Sequence, residues 1–111
     1  MKKLSSKRAK VCAITSRTKQ KVWDRDEGCC IICGRPGNPE AHYIPRSQGG
    51  LGVEQNIVTL CRTCHRIYDQ GSKEEREEYG GIIRAYLKRK YPDWNEQELK
   101  YDKWGSIWEQ N

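Results

Sequence analysis

Residues 56–65 read NIVTLCRTCH. Ile57 to Leu60 are apolar or β-branched, which suits a strand. The strand runs straight into Cys61-Arg-Thr-Cys64, and a histidine follows at once. From Arg62 the stretch RTCHRIYDQ has helical character and ends at Gly71. A strand that delivers two thiols to the start of a helix is a metal-binding turn in the making. Its partner lies upstream: Cys30-Ile-Ile-Cys33 sits in the turn-rich CCIICGRPGNP, with 27 residues between Cys33 and Cys61. Thiolates in a Cys-x-x-Cys turn present two sulfurs to one ion, and two such turns complete a tetrahedral Zn²⁺ site. The expectation is a structural zinc on Cys30, Cys33, Cys61 and Cys64. Four cysteines leave no open coordination position, so this ion folds the chain and does no chemistry. Cys29 has the wrong spacing and Cys12 has no partner; both read as ordinary cysteines.

The rest of the composition makes such a staple necessary. Of 111 residues, 35% are hydrophobic and 32% charged, and there is no Phe. A chain this small and polar buries a limited core. No stretch approaches the roughly 20 apolar residues of a membrane span. The N-terminus MKKLSSKRAKVCAITSR is positive but lacks the apolar region of a signal peptide. A cytoplasmic protein without a membrane partner is expected, and in a reducing compartment paired cysteines favour metal over disulfides.

The net charge of +6 is concentrated at one end. Residues 1–21 carry eight Lys/Arg, among them Lys19 and Lys21, and no acid; the other 13 basic residues face 15 acidic ones over residues 22–111. A basic arm beside a near-neutral body suits a polyanion, with nucleic-acid phosphates first. A solubilising tail is the alternative reading of the same charges.

Along the chain, residues 1–14 read as a flexible basic arm and 15–111 as one domain, with a core at 28–71 and a helical region at 72–111. SRTKQKVWDRDEG is a short helix closed by Gly28, with Val22 and Trp23 facing inward. EAHYIP is a strand bounded by Pro45, and RSQGGLGVEQ is a loop. Ser72 with Glu75 forms a capping box that opens a helix running to the stop at Pro92. Asn95 with Glu98 repeats the signal ahead of EQELKYDKW. The aromatics Tyr79, Tyr86, Tyr91, Trp94, Tyr101, Trp104 and Trp108 are read as packing these C-terminal helices onto the body.

The chain has two histidines. Consecutive helix positions differ by about 100°, so if Cys64 faces the zinc, His65 points elsewhere, back across the two strands toward His42. Asn56 stands at the loop-to-strand junction between them. With CIICG, AHYIPRSQGGLGVEQNIVTLC and CRTCH in this order, residues 30–65 resemble the HNH endonuclease family. Residues 18–33 and YLKRKYPDW are also similar to the small HNH proteins of tailed bacteriophages and prophages.

The resemblance implies an α+β, ββα-metal fold of treble-clef kind, flanked by helices and gripping one catalytic divalent ion. It implies hydrolysis of DNA phosphodiesters to 5′-phosphate and 3′-hydroxyl ends in the bacterial host cytoplasm. His42 corresponds to the general base, Asn56 to the residue that orients it and organises the loop, and His65 to a ligand of the catalytic ion. Mg²⁺ is the expected ion, with Mn²⁺, Ni²⁺ or Zn²⁺ also suited to a histidine ligand. Arg46 and Arg62 flank the site as candidate phosphate contacts. There is one departure: where the family places Asp or His just before the base, this chain has Ala41. Either a carboxylate such as Glu40 stands in, or the ion relies on His65, solvent and DNA phosphate.

Two activities follow as expectations. One is a monomeric, zinc-stapled nuclease that nicks duplex DNA with little sequence preference. The other, favoured by Ala41, is a zinc-knuckle DNA-binding protein whose catalytic site has decayed. An accessory role in phage DNA packaging, beside terminase and portal proteins, is compatible with the first.

Overall fold

Two antiparallel strands form the centre: β1 (Asn38–His42) and β2 (Ile57–Leu60). Ala41 pairs with Val58 and His42 with Ile57, but Asn38 pairs with Leu60, so the register slips by one between Asn38 and Ala41. Pro39 lies inside the slip. It has no N–H for the ladder, and an irregularity there accommodates it. β1 begins two residues before the predicted EAHYIP and ends at His42, because Tyr43 and Ile44 bond to Asn56 and leave the ladder.

The computed structural model of the protein describes residues 7–101. Helix α1 (Lys7–Cys12) and helix α2 (Ser16–Asp26) precede the strands; α3 (Arg62–Gln70) and α4 (Lys73–Lys90) follow them. The fold is α+β, as the sequence implies. Every residue of β2 is buried, because helices cover both faces of the sheet. On one side Val58 and Leu60 join Ile83 and Leu87 of α4 in the main core. On the other, α2 ties itself to β2 through the Arg25–Asp26 pair. Asp26 accepts from Thr59 N at 2.9 Å, and Arg25 donates to the carbonyls of Ile57 at 2.7 Å and Glu54 at 2.8 Å. The hydroxyl of Tyr86 on α4 donates to Asp26, and that of Tyr91, just past α4, accepts from Arg25, so one buried ion pair joins three elements.

Local signals explain the element ends. Ser72 and Glu75 form the expected capping box at the start of α4. Gly71 caps α3. At the end of α2 the left-handed position belongs to Glu27, with φ of 56°, and Gly28 follows at 69°; the predicted closure at Gly28 is one residue late. Asn95 does cap a turn, but the turn is a single 3₁₀ stretch, Glu96–Leu99, and Asn95 accepts from Gln97.

Two packing expectations are corrected. Val22 is fully buried as expected, whereas Trp23 is 44% exposed, its ring lying against Gly28. Residues 7–14 do not form a loose arm: Lys7–Cys12 is helical, and Cys12 is buried. Gly52 N donates to Val11 O, and a Cβ on Gly52 would sit 2.1 Å from Ala13 O. Only a glycine lets the chain pass there. Tyr79, Tyr86, Tyr91 and Trp94 pack against the core as read from the sequence, and Tyr43 joins them; Lys2, Lys3, Trp104 and Trp108 lie outside the described residues.

Candidate metal centre and histidine cleft

The two Cys-x-x-Cys turns meet. The sulfurs of Cys30, Cys33, Cys61 and Cys64 all lie within 4.8 Å of one another. Zn–S bonds of 2.3 Å in a tetrahedron place sulfurs about 3.8 Å apart, so the cluster needs little adjustment to take an ion. Each turn has the same internal wiring. Cys33 N approaches Cys30 Sγ at 3.5 Å, and Cys64 N approaches Cys61 Sγ at 3.4 Å. Cys61 is the residue that sequence places between strand and helix. Burial raises its pKa, yet hydrogen bonds from Cys64 N and the neighbouring thiols bring it down to about 7. A sulfur surrounded by donors carries negative charge well, which is the chemistry a Zn²⁺ site requires. Cys12 and Cys29 stand outside this cluster, as expected.

The cluster belongs to the core. Cys30, Cys61 and Cys64 are buried with Ala41, Val58, Leu60, Ile83 and Leu87. Holding these thiols therefore also holds β2 against α4.

On α3, Cys64 turns toward the cluster and His65 turns away from it. His65 lines a cleft of about 770 Å³ together with His42, at the end of β1. The 100° step between neighbouring helix positions has this consequence. Asp69 follows His65 by four residues, one turn along the same face, and lines the cleft too. Glu40 shares a strand face with His42 and reaches the same cleft, but forms a 3.4 Å ion pair with Lys19.

His42 is half-buried, and burial holds its pKa below the ordinary 6.5; the positive potentials of Arg46 and His65 push the same way, against a hydrogen bond to Cys12 O. That bond, 2.9 Å from Nε2, is the ring's one hydrogen bond to a described residue. These influences together favour the neutral imidazole.

Asn56 is fully buried. Its side chain accepts from Ile44 N at 2.8 Å and donates to the carbonyls of Leu51 at 2.8 Å and Ile44 at 3.2 Å. Its backbone oxygen accepts from Tyr43 N at 2.7 Å. Asn56 clamps the loop that follows His42 and does not touch the imidazole. Ala41 is 0% exposed and points into the core, so its side chain faces away from the cleft.

Of the four basic residues read as nucleic-acid contacts, Arg46 lines the cleft. Arg62 is exposed at the start of α3. Lys19 pairs with Glu40, and Lys21 with Glu54 at 3.6 Å. Sequence reasoning missed the opposite wall, where α4 supplies Lys73, Arg76 and Arg84. Their spacing puts them on one helix face, a signal masked by the acidic residues interleaved at 74, 75, 77 and 78.

Comparison with known proteins follows the same boundaries. The HNH endonuclease family model matches residues 30–71. The chain is 38% identical over 68 residues to the type IV methyl-directed restriction enzyme EcoKMcrA of Escherichia coli (strain K12), covering 49% of this chain and 24% of that protein. It is 39% identical over 44 residues to anaredoxin of Nostoc sp. (strain PCC 7120 / SAG 25.82 / UTEX 2576), covering 38% of this chain and 58% of that protein. The chain thus spans less than two thirds of either curated relative. Strand pair, helix and four-cysteine cluster all fall inside residues 30–71, the segment that the HNH endonuclease family model matches.

Proposed function

We propose that this chain is a metal-dependent DNA nuclease that nicks duplex DNA, with His42 as the general base. The observation that carries it is the convergence of His42 and His65 on one cleft within the HNH segment. A general base must be unprotonated at working pH, and the depressed pKa of His42 keeps it so. His42 takes the proton of the attacking water as the phosphodiester P–O3′ bond breaks, leaving 5′-phosphate and 3′-hydroxyl ends. Asn56 positions this group from behind, through the loop.

The residues fit a second, catalytic cation. His65 and Asp69 present a nitrogen and a carboxylate from one helix face, and Asp69 has no ion pair or hydrogen bond among the described residues. Of the other carboxylates lining the cleft, Glu40 and Glu96 have Lys19 and Arg84 as partners, and Glu77 stands on α4, the opposite wall. His65 with Asp69 would hold Mg²⁺, Mn²⁺ or Ni²⁺, which stabilises charge on the phosphate and the leaving oxygen. Arg46 and the α4 cations hold the phosphate backbone, so affinity falls steeply with salt. Methyl recognition, named for the Escherichia coli relative, is not carried over, because the chain spans 24% of that protein.

The test is cleavage of supercoiled plasmid with Mg²⁺, Mn²⁺ or Ni²⁺, with and without EDTA, by the wild type, His42→Ala and His65→Ala. Removing the base costs about 10²- to 10⁴-fold in turnover. Nicked circles precede linear product, because one protomer has one site. The wild-type rate rises with pH through an apparent pKa below 6.5, the sign set by the shift at His42.

A second reading rests on Ala41: a folded, zinc-loaded protein that binds DNA but fails to cut it with any of these metals is a binding module. For the phage setting we propose a partnership with terminase or portal proteins, tested by pull-down from infected cells.

A further inference from the structure

The His42 ring is held by a residue that lies outside the HNH segment. Its Nε2 meets the backbone oxygen of Cys12, the last residue of α1, at 2.9 Å. A carbonyl only accepts, so Nε2 carries the hydrogen and Nδ1 carries the lone pair. α1 is pinned for this task at three places. Arg8 Nη2 donates to the carbonyls of Arg46 and Ser47, both at 3.1 Å. Gly52 N donates to Val11 O at 2.9 Å. The Cys12 side chain is 2% exposed. The partners of Arg8 and Val11 all lie in the loop between His42 and β2.

We propose that α1 is a positioning element of the nuclease site, with Arg8 and Gly52 holding Cys12 O where it fixes the tautomer and direction of His42. The catalytic half of this statement rests on the nuclease reading above; the tautomer half does not. With Nε2–H committed to Cys12 O, Nδ1 faces the water to be activated. Without the carbonyl the ring samples both tautomers, and half of its orientations present an N–H to the water.

The experiment uses the zinc-loaded chain of residues 1–111 without added divalent metal. Long-range proton–nitrogen correlation spectra read the tautomer of each histidine directly. The chain has two histidines, and the spectrum of His65→Ala assigns the other. Wild type is expected to show His42 protonated on Nε2 alone. Gly52→Ala places a methyl 2.1 Å from Ala13 O and so displaces the end of α1. Arg8→Ala removes two surface anchors and leaves the core alone, which keeps the test open if Gly52→Ala does not fold. Both variants are expected to show mixed tautomers at His42, with zinc content retained. Their nicking turnover falls by about 10- to 100-fold with KM for DNA little changed, and Arg8→Lys restores part of it.

A wild-type ring protonated on Nδ1, or variants that keep both tautomer and turnover, overturns the proposal. Scrambled tautomers in the variants of a protein that fails to nick DNA with any of the metals leave the positioning intact and sink the nuclease reading. Nicking by wild type, unchanged in both variants, does the reverse.

Discussion

At the scale of single residues, two buried polar side chains three positions apart illustrate opposite bargains. Asn56 satisfies three backbone groups of the 44–51 loop. Asn56→Ala strands them in a dry site, and each orphaned group costs about 1–3 kcal/mol. Urea denaturation should therefore show a loss of several kcal/mol. Asn56→Asp keeps the acceptor for Ile44 N but sets a carboxylate against two carbonyls, so it should rescue nothing. Thr59 is equally buried, yet its hydroxyl has no hydrogen-bond partner among the described residues. Thr59→Val replaces that hydroxyl with a methyl of similar shape and should stabilise the protein by about 1 kcal/mol. A loss of stability in Thr59→Val would mean that an ordered water serves the hydroxyl.

At the scale of elements, α4 carries adjacent glycines in mid-helix, where each costs about 1 kcal/mol relative to alanine. They differ in surroundings. A Cβ on Gly81 meets nothing within 4 Å, while one on Gly80 lies 3.3 Å from the Tyr68 ring. Tyr68 cannot yield easily, because its hydroxyl donates to Tyr43 O. Gly81→Ala should raise the melting temperature and Gly80→Ala should lower it. The Arg25–Asp26–Tyr86 junction sets the acid limit of the α2–β2–α4 packing. Burial alone would raise the Asp26 pKa, but hydrogen bonds from Arg25, Tyr86 and Thr59 N hold it below 3.8. A depressed folded-state pKa contributes stability above the unfolded value, and that stability is lost as pH falls through the folded one. Tyr86→Phe removes one of these donors, so its acid-unfolding midpoint should move to higher pH, as followed by circular dichroism.

These elements also mark what sequence can carry. The Cys-x-x-Cys turns, β2, α3 and the capped start of α4 were legible because their signals are local: spacing, β-branching, a Ser–Glu pair. The turn of His65 away from Cys64 was legible from helix geometry alone. The docking of residues 7–14 was not, since it depends on a carbonyl, which every residue has, and on a gap at Gly52 that only the folded loop defines. Trp23 misled because a large aromatic on a helix suggests burial, whereas here it lies over Gly28 at the surface. The Asn56 clamp lay between: its position was marked, but its partners are backbone groups without sequence identity.

At the scale of the whole molecule, the metal centre and the hydrophobic core are one object. Three of the four clustered cysteines are buried beside Val58, Leu60, Ile83 and Leu87, so an ion joining the two turns would also join β2 to α4. Structural Zn²⁺ contributes about 10–16 kcal/mol of apparent binding energy in small domains, more than the roughly 5–15 kcal/mol by which native domains are stable. Removing the ion should therefore unfold this chain and not merely loosen one turn. Purified protein should hold one zinc per chain by elemental analysis. Strong chelation at pH 7 should abolish α-helical dichroism and DNA cleavage together, and Zn²⁺, unlike Mg²⁺, should restore both. Brief exposure to dilute EDTA should stop cleavage first, because a cation held by His65 and Asp69, as proposed, would sit in an open cleft, whereas three of the four clustered thiols are buried in the core. If helicity survives complete loss of zinc, the apolar contacts of Val58, Leu60, Ile83 and Leu87 suffice to hold the sheet to α4, and the four cysteines serve some purpose other than folding.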